Sequence, residues 1–66
     1  MNFGQKLRQL RIEKGLTQQQ LAERLGYKSN SYVSDVESGH FIPSRDKLKK
    51  IARALDVPFK VLEDML

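Results

Sequence analysis

Residues 15–39 read GLTQQQLAERLGYKSNSYVSDVESG, and this stretch decides how the chain folds. Thr17 and Gln20 form a capping box, in which the Thr hydroxyl meets the Gln20 amide and the Gln20 side chain reaches back. A helix therefore starts at Gln18. It buries Leu21, Ala22 and Leu25 and stops at Gly26, where a left-handed residue turns the chain and Tyr27 packs back on Leu21. A helix of about two turns is unstable alone, so its role is to brace a neighbour. The next helix begins after Ser29, the expected cap, and ends at Ser38 because Gly39 stops it. At about 100° per residue, Val36 and Glu37 flank Val33, whereas Ser31, Ser34, Asp35 and Ser38 fall on the opposite side. That helix turns a small polar face outward.

Upstream, Asn2 caps a helix from about Phe3 to Lys14, with Gln5 three residues on. Phe3, Leu7 and Leu10 form its apolar stripe. Gly15 ends it and folds Leu16 onto Leu10, leaving Ile12 exposed. Downstream, Ser44 caps a fourth helix with Asp46 near its positive end. Its core stripe is Leu48, Ile51, Ala52 and Leu55. After the turn Asp56-Val57-Pro58, a last helix carries Phe59, Leu62 and Leu66 on one side and Val61 with Met65 on a second stripe. No run alternates like a strand. The expectation is an all-α, five-helix bundle forming one domain over residues 1–66, with a helix-turn-helix at about 17–39.

Composition narrows the function. The chain has 66 residues, no Cys, one His (His40), and 12 Lys and Arg against 8 Asp and Glu, a net charge of +4. A chain this short buries only about 60% of its unfolded surface, so a two-domain enzyme is excluded. Asp and Glu are scattered, and nothing converges on a nucleophile or a metal. We expect no catalysis, no metal, no cofactor and no small-molecule ligand in this segment. No apolar run approaches the roughly 18 residues that span a bilayer, and the N-terminus lacks a hydrophobic signal core. The expected location is cytoplasmic. Residues 29–39 hold Asp35 and Glu37 and no Lys or Arg, so the basic excess lies around the polar helix and not on it.

The stretches GLTQQQLAERLG, SNSYVSDVESG and IPSRDKLKKIARALDV together resemble the Cro and phage-repressor (XRE-type) family of DNA-binding domains over nearly the whole chain. The matching residues are Gln18 opening the second helix, Ala22 inside it, Gly26 at the turn, the buried Val33, and Val36-Glu37-Ser38-Gly39 as an aliphatic-Glu-x-Gly ending. Two departures stand out. The segment from Gly26 to Val33 is one residue longer than the family spacing, around Lys28, and the outward face of the third helix lacks Lys or Arg. The resemblance implies a lambda-repressor-like fold and a sequence-specific binder of double-stranded DNA, a transcriptional regulator expected to repress as a homodimer on a near-palindromic operator.

Groove chemistry assigns candidate readers. Asn30 can bond adenine N6 and N7 together, Ser31 and Ser34 can bond several bases, Asp35 can accept from cytosine N4, and Tyr32 can meet a thymine methyl or a phosphate. Ordinary capping and solvation is the competing account of these residues, and for Ser29 capping is the commoner role. Phosphate contacts would come from Gln18, by the resemblance, and from Thr17, Lys28, Ser29, Ser38 and His40. Lys47, Lys49, Lys50 and Arg53 read as a solvated face. Glu37 lies on the core side and requires a partner to stay charged. Arg11 occupies the matching flank of the first helix, and an Arg11–Glu37 ion pair is expected, resembling a structural pairing of the family. Phe41, Ile42, Val61 and Met65 are apolar without a place in the core and are candidates for dimer contact. A rival use of them is a protein-interaction module on the same scaffold, such as an antitoxin or accessory subunit.

Overall fold

The computed structural model describes residues 1–66 as five helices: α1 (Phe3–Glu13), α2 (Gln18–Arg24), α3 (Ser31–Glu37), α4 (Arg45–Leu55) and α5 (Phe59–Asp64). Local chemistry sets most of their ends. Asn2 with Gln5 and Thr17 with Gln20 each form a reciprocal capping box at α1 and α2. At α4, the Lys47 amide donates to Ser44 Oγ at 3.4 Å. Gly15, Gly26 and Gly39 hold positive φ directly after α1, α2 and α3. The residue following each glycine bonds back to a carbonyl of the last turn: Leu16 to Arg11, Tyr27 to Ala22 and His40 to Asp35. This pairing satisfies carbonyls that a helix end leaves orphaned. The same closure ends α4, where Val57 bonds back to Ala52 around Asp56, a left-handed residue without glycine's freedom (φ 57°).

Two sequence expectations about ends are corrected. Asn30, not Ser29, caps α3, and no side chain accepts a capping bond there. The Asn30 carbonyl takes the first helical bond, from the Ser34 amide, while the Asn30 amide is drawn toward Gln18. Ser29 Oγ instead meets Ser31 Oγ at 3.3 Å. Leu66 is exposed rather than part of the α5 core stripe, because α5 ends before it at Asp64.

The core joins Phe3 and Leu7 of α1, Leu21 and Ala22 of α2, Val33 and Val36 of α3, five residues of α4 (Leu48, Ile51, Ala52, Ala54, Leu55) and Leu62 of α5. α3 packs between α1 and α2, and α5 packs on α4. Met65, expected outside this core, is half-buried and packs against it. As the cap residue of α5 it lies one turn after Leu62 and Val61, within reach of the same apolar surface. Gly4 is buried where α1 crosses the end of α3, and a Cβ there would stand 2.5 Å from the Val36 carbonyl oxygen. No helix is long and apolar enough to cross a membrane.

Candidate nucleic-acid interface

The polar face of α3 is anchored from behind by one buried carboxylate. Arg11 Nε donates to Glu37 Oε2 at 2.7 Å and Arg11 Nη2 donates to Oε1 at 3.1 Å. Arg11 Nη1 donates to the Leu16 carbonyl at 2.7 Å. The two side chains are only 8% and 3% exposed, so the fork geometry, with the charges answering each other, is what permits their burial. Glu37 Oε1 also accepts from Gln18 Nε2 at 3.1 Å. A carboxylate only accepts, so the donor end of the Gln18 amide is turned inward and its oxygen outward. That oxygen accepts from Asn30 Nδ2 at 3.4 Å. One chain of bonds thus runs from α1 through the end of α3 and the start of α2 to the residue that opens α3.

Asn30 is exposed and keeps Oδ1 and the second hydrogen of Nδ2 free of these bonds. Together they offer the acceptor and donor that match adenine N6 and N7 in the major groove. Ser31 and Asp35 are exposed along the same helix and Ser34 is half-buried. Asp35 forms no ion pair.

Tyr32 is half-buried in an aromatic cluster. Its ring lies 5.0 Å from that of Tyr27 and 5.5 Å from that of Phe41, and its hydroxyl is buried without a hydrogen-bond partner. The residue lies on the flank of α3 that meets the turn and the following loop, where its ring packs. Lys47 Nζ donates to Tyr27 Oη at 3.0 Å and sits 5.6 Å from the centre of that ring. Burial pushes the Tyr32 phenol up, Tyr27 adds to this, and Lys47 opposes it. Lys47 is also raised, chiefly by its bond to Tyr27.

The other candidates fall into two groups. Thr17, Gln18, Lys28 and Ser29 gather near the starts of α2 and α3, whereas Ser38 and His40 lie beyond the other end of α3. Thr17 Oγ1 is engaged as the α2 cap. The Lys28 carbonyl accepts from Gln19 Nε2 at 3.0 Å, which pins the segment containing the additional residue to α2. Sequence reading missed this role of Gln19, since nothing local marks it out from the glutamines beside it. Phe41, Ile42 and Val61 are exposed.

Comparison with known proteins agrees with this geometry. A helix-turn-helix family model matches residues 7–62. The chain is 47% identical over 57 residues, 86% of its length, to the HTH-type transcriptional activator BcrR of Enterococcus faecalis, covering 28% of that protein. It is 40% identical to the control protein C.BamHI of Bacillus amyloliquefaciens over 94% of this chain and 76% of that one. The crystal structure of the restriction-modification controller protein C.AhdI from Aeromonas hydrophila superposes with a TM-score of 0.82 at 45% identity, covering 91% of this chain and 89% of that one. The chain spans between 28% and 39% of the length of the first three curated relatives it matches. Motif, architecture and these likenesses coincide: the chain belongs to the XRE-type helix-turn-helix family of DNA-binding transcription regulators.

Proposed function

We propose that this chain binds a specific double-stranded DNA site, reading the major groove with α3, and represses transcription where that site overlaps a promoter. The observation that carries the reading is the Gln18–Asn30 bond, backed by the buried Arg11–Glu37 pair. It presents an oriented amide on the exposed start of a helix. A groove about 12 Å wide admits such a helix, and a fixed donor–acceptor pair distinguishes bases there. Ser31, Ser34 and Asp35 extend the reading surface, while Thr17, Lys28, Ser29, Ser38 and His40 flank it as phosphate contacts, and Gln18, whose side-chain donor is turned to Glu37, joins them through its backbone amide at the start of α2. The chain acts as a homodimer through Phe41, Ile42, Val61 and the exposed part of Met65, setting two α3 helices about 34 Å apart on a near-palindromic site. It acts in the cytoplasm, requires no cofactor and performs no covalent chemistry.

Selection from random duplexes at two salt concentrations tests this reading. A symmetric motif whose affinity falls steeply as salt rises is the expected result, because phosphate contacts release counterions. Salt-insensitive binding, or no enriched motif, would sink it and favour a protein-interaction module built on the exposed apolar residues.

A further inference from the structure

Lys47 stands apart from the other cations of α4. It lies in the first turn of that helix, where its amide donates to the Ser44 cap. A cation there opposes the helix dipole, so α4 itself gains nothing from this charge. The side chain instead meets the turn between α2 and α3. Its Nζ donates to Tyr27 Oη at 3.0 Å and sits 5.6 Å from the centre of that ring. Tyr27 in turn packs against Tyr32 of α3, with ring centres 5.0 Å apart.

Donors outnumber acceptors at this junction. An ammonium has three hydrogens to give, and a phenol that accepts one of them keeps its own hydrogen to donate. No carboxylate lies within 4.0 Å of the Lys47 ammonium, since the ion pairs are Arg11–Glu37, Arg45–Glu63 and Lys60–Asp64. Asp46, its neighbour in sequence, is in none of them. Tyr27 and Lys47 are both half-buried, so each keeps part of its surface open to an acceptor from outside. Position says which acceptor comes. A helix with its side chains is about 10–12 Å across and the major groove is about 12 Å wide, so phosphates line the flanks of a helix seated there. Tyr32 lies on a flank of α3, and Tyr27 with Lys47 lies one ring further out.

We infer that Lys47 and the Tyr27 hydroxyl clamp one phosphate of the DNA site at the edge of the reading helix. Lys47 makes the charged contact, and Tyr27 both donates to the phosphate and holds the ammonium in place. The clamp rests on the reading of α3 as the groove helix and adds to it a contact that chooses no base. By joining α4 to the turn before α3, it fixes how that helix lies against the backbone.

The test uses the full chain and the duplex enriched from random sequence. Lys47→Gln should raise Kd about five- to tenfold and lower the slope of log Kd against log salt by about one, with base preferences unchanged. Lys49→Gln removes the same charge beside Phe59 and should leave Kd within about twofold. Tyr27→Phe keeps the ring and should raise Kd about two- to fivefold. A neutral methylphosphonate, moved along the backbone, should weaken wild-type binding at one phosphate of each half-site, and Lys47→Gln should abolish that loss. Lys47→Arg, which keeps the charge, should restore the salt slope, and thermal melts of each variant separate a lost contact from lost folding. Equal weakening by Lys47→Gln and Lys49→Gln, an unchanged salt slope, or one methylphosphonate pattern for both proteins would each overturn the clamp while leaving the groove reading intact. Failure to enrich any motif would overturn the groove reading and the clamp with it.

Discussion

A Cβ on Gly4 would stand 2.6 Å from the carbonyl oxygen of Glu37, so α1 meets the end of α3 backbone to backbone. This close approach lets Arg11, two turns further along α1, reach the Glu37 carboxylate. Alanine is ordinarily about 1 kcal/mol better than glycine inside a helix. Here the clash is with rigid main chain, and we expect Gly4→Ala to lose about 1–3 kcal/mol. Urea unfolding checks this, and a gain in stability would contradict the packing described.

Breaking the buried pair should be costly. Arg11→Met strands the Glu37 carboxylate and is expected to cost about 3–5 kcal/mol, while Arg11→Met with Glu37→Met recovers much of that loss. Thermal melts of the single and double variants measure the difference. An unchanged melting temperature for Arg11→Met would rule out the pair as a structural tie.

Asn30→Ala should relax preference at one base position, at a cost of about 1–3 kcal/mol there. Gln18→Ala should weaken every site and also soften the choice at the Asn30 position, because it removes the bond that orients that amide. Competition binding against single-position operator variants distinguishes the two patterns.

Alkaline pH should destabilise the fold. Lys47 is raised above its ordinary 10.5 and Tyr32 above 10.0, so above about pH 10 the folded chain holds more protons than the unfolded one. Stability then falls as pH rises. The Lys47 contribution is complete below its unfolded pKa and disappears as pH passes its folded one. Tyr32→Phe should flatten the part due to Tyr32. It should also keep or raise stability at neutral pH by up to about 1 kcal/mol, since the hydroxyl it removes is buried and unpartnered. Chemical denaturation between pH 7 and 11 measures both effects.

Asp56 combines a left-handed backbone with a carboxylate at the negative end of α4. Asp56→Asn should gain about 0.3–1 kcal/mol from the dipole alone. Asp56→Gly should gain more, because glycine adopts that backbone without steric cost. Equilibrium unfolding of the two variants separates the contributions.

The helices and most of their ends were legible because the groups involved lie within six residues of one another. Asn2 and Gln5, Thr17 and Gln20, and the glycines at 15, 26 and 39 act through short-range bonds whose geometry residue type and spacing dictate. Glu37 could be matched to Arg11 across a long separation because a carboxylate on an apolar face demands a cation, and few are placed to answer. Tertiary structure alone decided what the other polar and aromatic groups do. Tyr32 turned to Tyr27 and Phe41, Asn30 took the cap from Ser29, Gln19 held the segment around Lys28, and Gly4 proved to be a contact point. Helical periodicity gives the direction in which a side chain leaves its helix. Which group from a distant part of the chain meets it depends on how the helices cross, and that is set by the packing of the core as a whole.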